Sequence, residues 1–179
     1  MAYARTAAQR TADRLRSKAF EETVGTWLGD FKIAQTASQD KLDYWVPGIF
    51  LDVKEKHGSI SNRWPLMEGV DERDTFILDE LSLRKALAHF PSAYFLLHDI
   101  PGGGRFFLAR ADEVACVERV RVNRTGATGH AKGKLLIPMT AFRQLESPAE
   151  ELLPALLADQ IEMSWKRSEC LDQRPVEEV

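Results

Sequence analysis

Residues 42–56, Leu-Asp-Tyr-Trp-Val-Pro-Gly-Ile-Phe-Leu-Asp-Val-Lys-Glu-Lys, constrain the fold more than any other stretch. Aromatic and β-branched residues fill both arms, and Pro47-Gly48 is a turn signal between them. The stretch predicts two antiparallel strands folded about that dipeptide. In this register Val46 faces Ile49, Trp45 faces Phe50, Tyr44 faces Leu51 and Asp43 faces Asp52. The strand period of two puts Asp52, Lys54 and Lys56 on one face, and Leu51, Val53 and Glu55 on the other. Two carboxylates and a lysine therefore converge.

Such a patch is unfavourable alone, because like charges directly opposed destabilise a strand pair. Near 4 Å the repulsion is roughly 4 kcal/mol at an effective dielectric of about 20. A hard divalent cation reverses its sign: Mg²⁺ is held by one or two carboxylates and keeps several waters. A lysine two residues along can orient an attacking water or stabilise charge developing on a phosphate. An Asp followed on the next strand by Asp-x-Lys suits phosphodiester hydrolysis.

Asp43…Asp52-Val53-Lys54 resembles the PD-(D/E)xK nuclease signature, with Leu42 where that signature has proline. Lys18-Ala19-Phe20-Glu21 is similar to the K-x-F-E of the first helix in several branches of that superfamily, including RecU-like Holliday-junction resolvases. The resemblance covers roughly residues 15–110. It implies a restriction-endonuclease-like core, Mg²⁺ (or Mn²⁺) held by Asp43 and Asp52, catalysis with Lys54, and a homodimer acting on DNA. RecU-like proteins tend to carry a His-Gln pair early in the next helix, where this chain has Glu80-Leu81-Ser82.

The rest of the chain is compatible with one domain. Its 179 residues are enough for a core, and 44% hydrophobic with 28% charged residues is ordinary globular composition. No apolar run is long enough to cross a membrane, and the N-terminus lacks an apolar signal region, so a cytoplasmic protein is expected. Cys116 and Cys170 are isolated, which argues against a zinc site or an iron–sulfur cluster. The net charge is −3, but residues 144–179 hold nine acids against three bases, leaving +3 for residues 1–143. A DNA-facing surface on the body is compatible with that distribution.

Residues 4–29 read as a helix. Arg10, Arg14 and Lys18 make a basic stripe on it, either a solvated face or a phosphate contact. Phe20, Val24, Trp27, Leu28 and Phe31 form its apolar face. Glu21 lies about 75° from the middle of that face at 100° per residue. If Glu21 or Glu22 supports the acidic patch, geometry favours Glu21; the alternative is an ordinary boundary glutamate. Residues 57–75 read as a long loop.

Asp74 or Thr75 is expected to cap a helix to about His89, with Phe76, Ile77, Leu81, Leu83, Leu87 and Phe90 in the core. Residues 93–98 and 105–109 read as a hairpin around Gly102-Gly103-Gly104, followed by a short helix over 111–117. Arg119 and Arg121 alternate onto one strand face, and Arg124, Lys132 and Lys134 follow in a Gly-rich stretch before the strand 135–138. With Lys56, these residues and the N-terminal stripe are the candidate DNA contacts. Ser147-Pro148-Ala149-Glu150 reads as a capping box opening a helix to about Trp165, with a frayed acidic tail over 168–179.

The expected fold is α/β: a central mixed sheet of four or five strands flanked by helices, a single domain over 1–167 with an N-terminal helical arm. The expected function is a metal-dependent DNA endonuclease of Holliday-junction resolvase type. The alternatives are a restriction or repair nuclease, a non-catalytic nucleic-acid-binding module on the same fold, and an interaction protein using its acidic C-terminal helix.

Overall fold

The computed structural model describes residues 6–31, 34–35, 44–46, 48–58, 60, 64, 68–125 and 131–172. In chain order the elements are α1 (Ala7–Leu28), β1 (Ala34–Gln35), β2 (Tyr44–Val46), β3 (Ile49–Lys56), β4 (Thr75–Asp79) and α2 (Glu80–Leu87). Then come β5 (Ala93–Asp99), β6 (Arg105–Arg110), α3 (Ala111–Cys116), β7 (Val120–Thr125), β8 (Ala131–Pro138), β9 (Arg143–Leu145) and α4 (Pro148–Asp172).

Among the described residues the strands form two sheets. The main one has six strands in the order β1-β2-β3-β5-β6-β9, and the second has three in the order β4-β8-β7. The main sheet is mixed: β3 and β5 run parallel, and its other pairs are antiparallel. A parallel pair needs a crossover connection. Residues 57–92 supply it, and β4 and α2 lie within it. The β2–β3 register is the one the sequence predicts, Tyr44 with Leu51, Trp45 with Phe50 and Val46 with Ile49. The class is α/β as expected, with more strands than the four or five expected.

The two faces of the main sheet bury different partners. Leu51, Val53, Tyr94, Leu96 and Leu108 pack with Val24 and Leu28 of α1 and with Leu152, Ala155 and Leu156 of α4. Ala93, Phe95, Leu97, Phe107 and Ala109 point the other way. They pack with Phe76 and Leu78 of β4, Leu135 and Ile137 of β8, Leu83 and Ala86 of α2, and Val114 of α3. The alternation along β3 and β5 decides which chemistry meets which layer. At its N-terminus α1 is closed by a capping box: Gln9 N–H donates to the Thr6 hydroxyl at 3.2 Å, and Thr6 N–H donates to Gln9 Oε1 at 2.8 Å.

Several expectations are corrected here. The helix expected from Asp74 or Thr75 begins only at Glu80, because Thr75–Asp79 pairs with β8 as a strand. Thr, Phe and Ile in succession favour a pleated, half-buried surface, and Phe76 and Leu78 enter the core from it. Leu81, Leu87 and Phe90, expected in the core, are exposed; Leu83 and Ala86 are the buried positions of α2. At the far end α4 runs to Asp172, past the expected stop near Trp165 and through the start of the expected frayed tail. Its first turn is closed by Ser147 N–H donating to Glu151 Oε1 at 2.6 Å, one residue beyond the expected Glu150. The strands β1 and β9 were not anticipated.

Candidate functional site

β3 carries two sets of ionisable residues on its two faces. Toward the second sheet lie Asp52, Lys54 and Lys56, in line with Phe50. Asp52 sits beside Phe95 and Lys54 beside Leu97 of the parallel strand β5. Lys54 Nζ donates to Asp52 Oδ1 at 2.5 Å. The Asp52 side chain is 6% exposed and that of Lys54 is 30% exposed, so the lysine is the solvent-facing half of the pair. A carboxylate placed in an apolar layer requires a cation or donors beside it, and Lys54 provides one. Asp43, expected opposite Asp52, lies outside the described residues.

Lys56 is turned inward. Its side chain is 8% exposed; Nζ donates to the Arg73 carbonyl at 2.8 Å and lies 3.3 Å from Asp99 Oδ1. Arg105 completes this network, reaching Asp99 Oδ2 at 2.6 Å and Asp74 Oδ1 at 2.9 Å. Lys56 thus ties the end of β3 to β5 and to the turn before β4. An ammonium spent on a fully buried Asp99 is no DNA contact, and the expectation for Lys56 is corrected.

Glu21 belongs to the other face. It lies on α1 and contributes repulsion at Glu55, whereas Asp52 and Lys54 point toward the second sheet. The structure therefore does not bring Glu21 to Asp52. Among the described residues no three His, Cys, Asp or Glu side chains are grouped so as to hold a metal ion. Asp52 carries hard carboxylate oxygens of the kind Mg²⁺ prefers.

On the α1 face, Glu55 stands between two histidines. Its Oε1 lies 3.3 Å from His98 Nδ1, and its Oε2 lies 3.2 Å from His57 Nε2. With its side chain only 8% exposed, burial pushes the Glu55 carboxyl up to about 7; Arg16 opposes the shift and Glu21 adds to it. His98 is held below the usual histidine range by burial and by His57, with Asp99 opposing. Its ring stacks on Phe106 at 4.1 Å and lies 4.9 Å from Phe20. Open clefts of about 440 and 480 Å³ both reach Glu55 and His57. Neither Glu55 nor His98 is among the candidate site residues named from the sequence. The available signal was an acid at the end of the apolar series Leu51, Val53, Glu55, with His98 at the end of a buried strand.

The remaining candidates divide between layers. Arg10, Arg14 and Lys18 are exposed on α1, with Lys18 Nζ 3.8 Å from Glu22 Oε1. Arg119 precedes β7, and its guanidinium donates to the carbonyls of Ala115 and Val117 at the end of α3. Arg121 pairs with Glu80 at 2.8 Å, and Lys134 with Asp79 at 2.5 Å. Arg124 is opposite Lys132 in the β7–β8 register, and Lys132 is exposed.

No family model, curated protein or solved structure matches the chain. Among the described residues no helix is long and apolar enough to cross a membrane.

Proposed function

We propose that this chain is a metal-dependent DNA endonuclease of the PD-(D/E)xK type, with a restriction-endonuclease-like core and a preference for branched DNA of the Holliday-junction kind. The observation that carries the reading is the Asp52–Lys54 pair, 2.5 Å apart on a strand whose pairing with β2 over residues 44–46 follows the register expected from the sequence. The element order also supports it: helix, hairpin, crossover, then a strand parallel to the Asp-x-Lys strand. In this reading Asp52 and Asp43 would hold Mg²⁺ or Mn²⁺, which would supply Lewis-acid stabilisation of the phosphate. Lys54 orients the attacking water or meets the developing negative charge. Glu21 falls outside the centre, and a homodimer remains part of the proposal.

A second reading has one observation in its favour. Asp52 is deeply buried and Glu21 is across the sheet, as suits a nucleic-acid-binding module that keeps the fold without cutting. A cleavage panel in Mg²⁺ with four-way junction, flap, linear duplex and single strand separates the two. Cleavage that disappears in Asp52→Asn supports the nuclease; binding without cleavage on every substrate supports the module.

A further inference from the structure

A cleft of about 430 Å³ opens between the first turns of α2 and the β7–β8 pair. Arg84, Lys85, Arg121 and Lys132 line it, together with Asp79 and Glu80.

Glu80 organises the cations. Its Oε2 accepts from Arg121 Nε at 2.9 Å, and its Oε1 accepts from Arg84 Nη2 at 2.7 Å. One carboxylate therefore fixes two guanidiniums that come from different elements. Residue 133 permits this only as glycine, because a Cβ there would lie 1.8 Å from Glu80 Oε2. Both arginines remain exposed and keep further N–H donors. The other acid, Asp79, is paired with Lys134. Lys132 is exposed, and cations outnumber carboxylates around the opening.

We propose that this cleft binds the phosphate backbone of duplex nucleic acid, with Arg84 and Arg121 as a preset pair of guanidinium forks, Lys132 as a point charge and Glu80 as a positioning residue. Guanidinium forks match phosphate oxygens in two-point contacts. Holding both before the ligand arrives removes part of the ordering cost of binding. The assignment rests on the DNA reading above and adds the surface that grips the substrate.

The test uses full-length protein carrying Asp52→Asn, in EDTA, and a short fluorescein-labelled duplex titrated at several salt concentrations. Arg84→Ala with Lys132→Ala is expected to weaken binding about tenfold at low salt and to lower the slope of log K against log salt by roughly one to two. Both side chains are exposed, so the thermal melt stays that of the parent. Glu80→Ala separates positioning from charge: it makes the cleft more positive, yet weaker binding is expected because the two forks are released. Tighter binding there would overturn the role of Glu80.

Cleavage by the unsubstituted chain is scored separately in Mg²⁺. An unchanged salt slope in Arg84→Ala/Lys132→Ala overturns the cleft alone, whether or not the chain cuts. A lowered slope in a chain that never cuts keeps the cleft and removes the nuclease. Absence of duplex binding at every salt concentration, or displacement by polyglutamate and not by unlabelled duplex, overturns the cleft.

Discussion

Glu55 and His98 are register partners on the parallel strands β3 and β5, and their side chains meet with Oε1 3.3 Å from Nδ1. The pair lies under α1, on the opposite side of the strand from Asp52 and Lys54. A three-residue step along β3 thus separates two chemistries. One is a carboxylate already holding an ammonium, and the other is a carboxyl lifted close to neutrality between two imidazoles.

The first prediction follows from that lift. The folded Glu55 carboxyl is pushed from 4.5 to about 7, so between those values the folded state holds a proton that the unfolded state has released. Stability then falls as pH rises across that window. His98 acts in the opposite sense: its lowered value favours the unfolded state as pH falls below the ordinary histidine range. Glu55→Gln removes the first effect. Urea unfolding of both proteins at several pH values is expected to show Glu55→Gln gaining on the parent by on the order of 2 kcal/mol between pH 4.5 and 8. Parallel stability curves would sink the assignment.

The second prediction concerns Asp52 and Lys54. Asp52→Asn should abolish Mg²⁺-dependent cleavage. Lys54→Ala should lower the rate by roughly 10²–10³-fold, as expected for loss of one transition-state stabiliser, and leave duplex affinity nearly unchanged. Single-turnover cleavage and anisotropy on the same preparations give both numbers. Equal losses in rate and affinity would make Lys54 a phosphate anchor instead.

Much of this arrangement was legible in the sequence. The alternation of 49–56 and the Pro-Gly turn placed Asp52 and Lys54 on one face and gave the β2–β3 register. What alternation alone does not give is the layer that covers each face. That depends on long-range packing of α1, α4 and the second sheet, so Lys56 looked like a DNA contact although Asp99 claims it. Thr75–Asp79 failed for a related reason: its partner β8 is far along the chain, and a short apolar run has no period long enough to separate strand from helix. Likewise Glu21 fell at the edge of the correct helix face, yet the face itself packs away from Asp52.

The third prediction tests the inward-facing lysine. Among the described residues, Lys56→Ala leaves Asp99, which is 0% exposed, with Arg105 as its remaining ion-pair partner. Removing one member of a buried ion pair costs about 3–5 kcal/mol. The surviving Arg105 contact reduces that here, so a loss of about 2–3 kcal/mol is expected in urea unfolding. Duplex affinity per folded molecule should not change. A stable variant with weakened DNA binding would return Lys56 to the surface role.

The fourth prediction separates the two basic regions. Arg10, Arg14 and Lys18 ride on α1, while Arg84, Arg121 and Lys132 belong to the layer on the other side of the main sheet. A single straight duplex can follow one of these surfaces and not both. Asp52 and Lys54 point toward the second-sheet side, which favours that side for the substrate. Changing Arg10, Arg14 and Lys18 together to Ala is therefore expected to leave the slope of log K against log salt unaltered, since no counterion is released by contacts that do not form. Arg119→Ala is expected to behave in the same way in DNA binding. It should cost about 0.5–1 kcal/mol of stability, because its guanidinium caps the carbonyl end of α3. The decisive measurement is the salt titration on the α1 triple variant beside Arg84→Ala/Lys132→Ala. A drop in slope confined to the α1 variant would move the duplex to the α1 face, next to Glu55 and its two histidines, and away from Asp52.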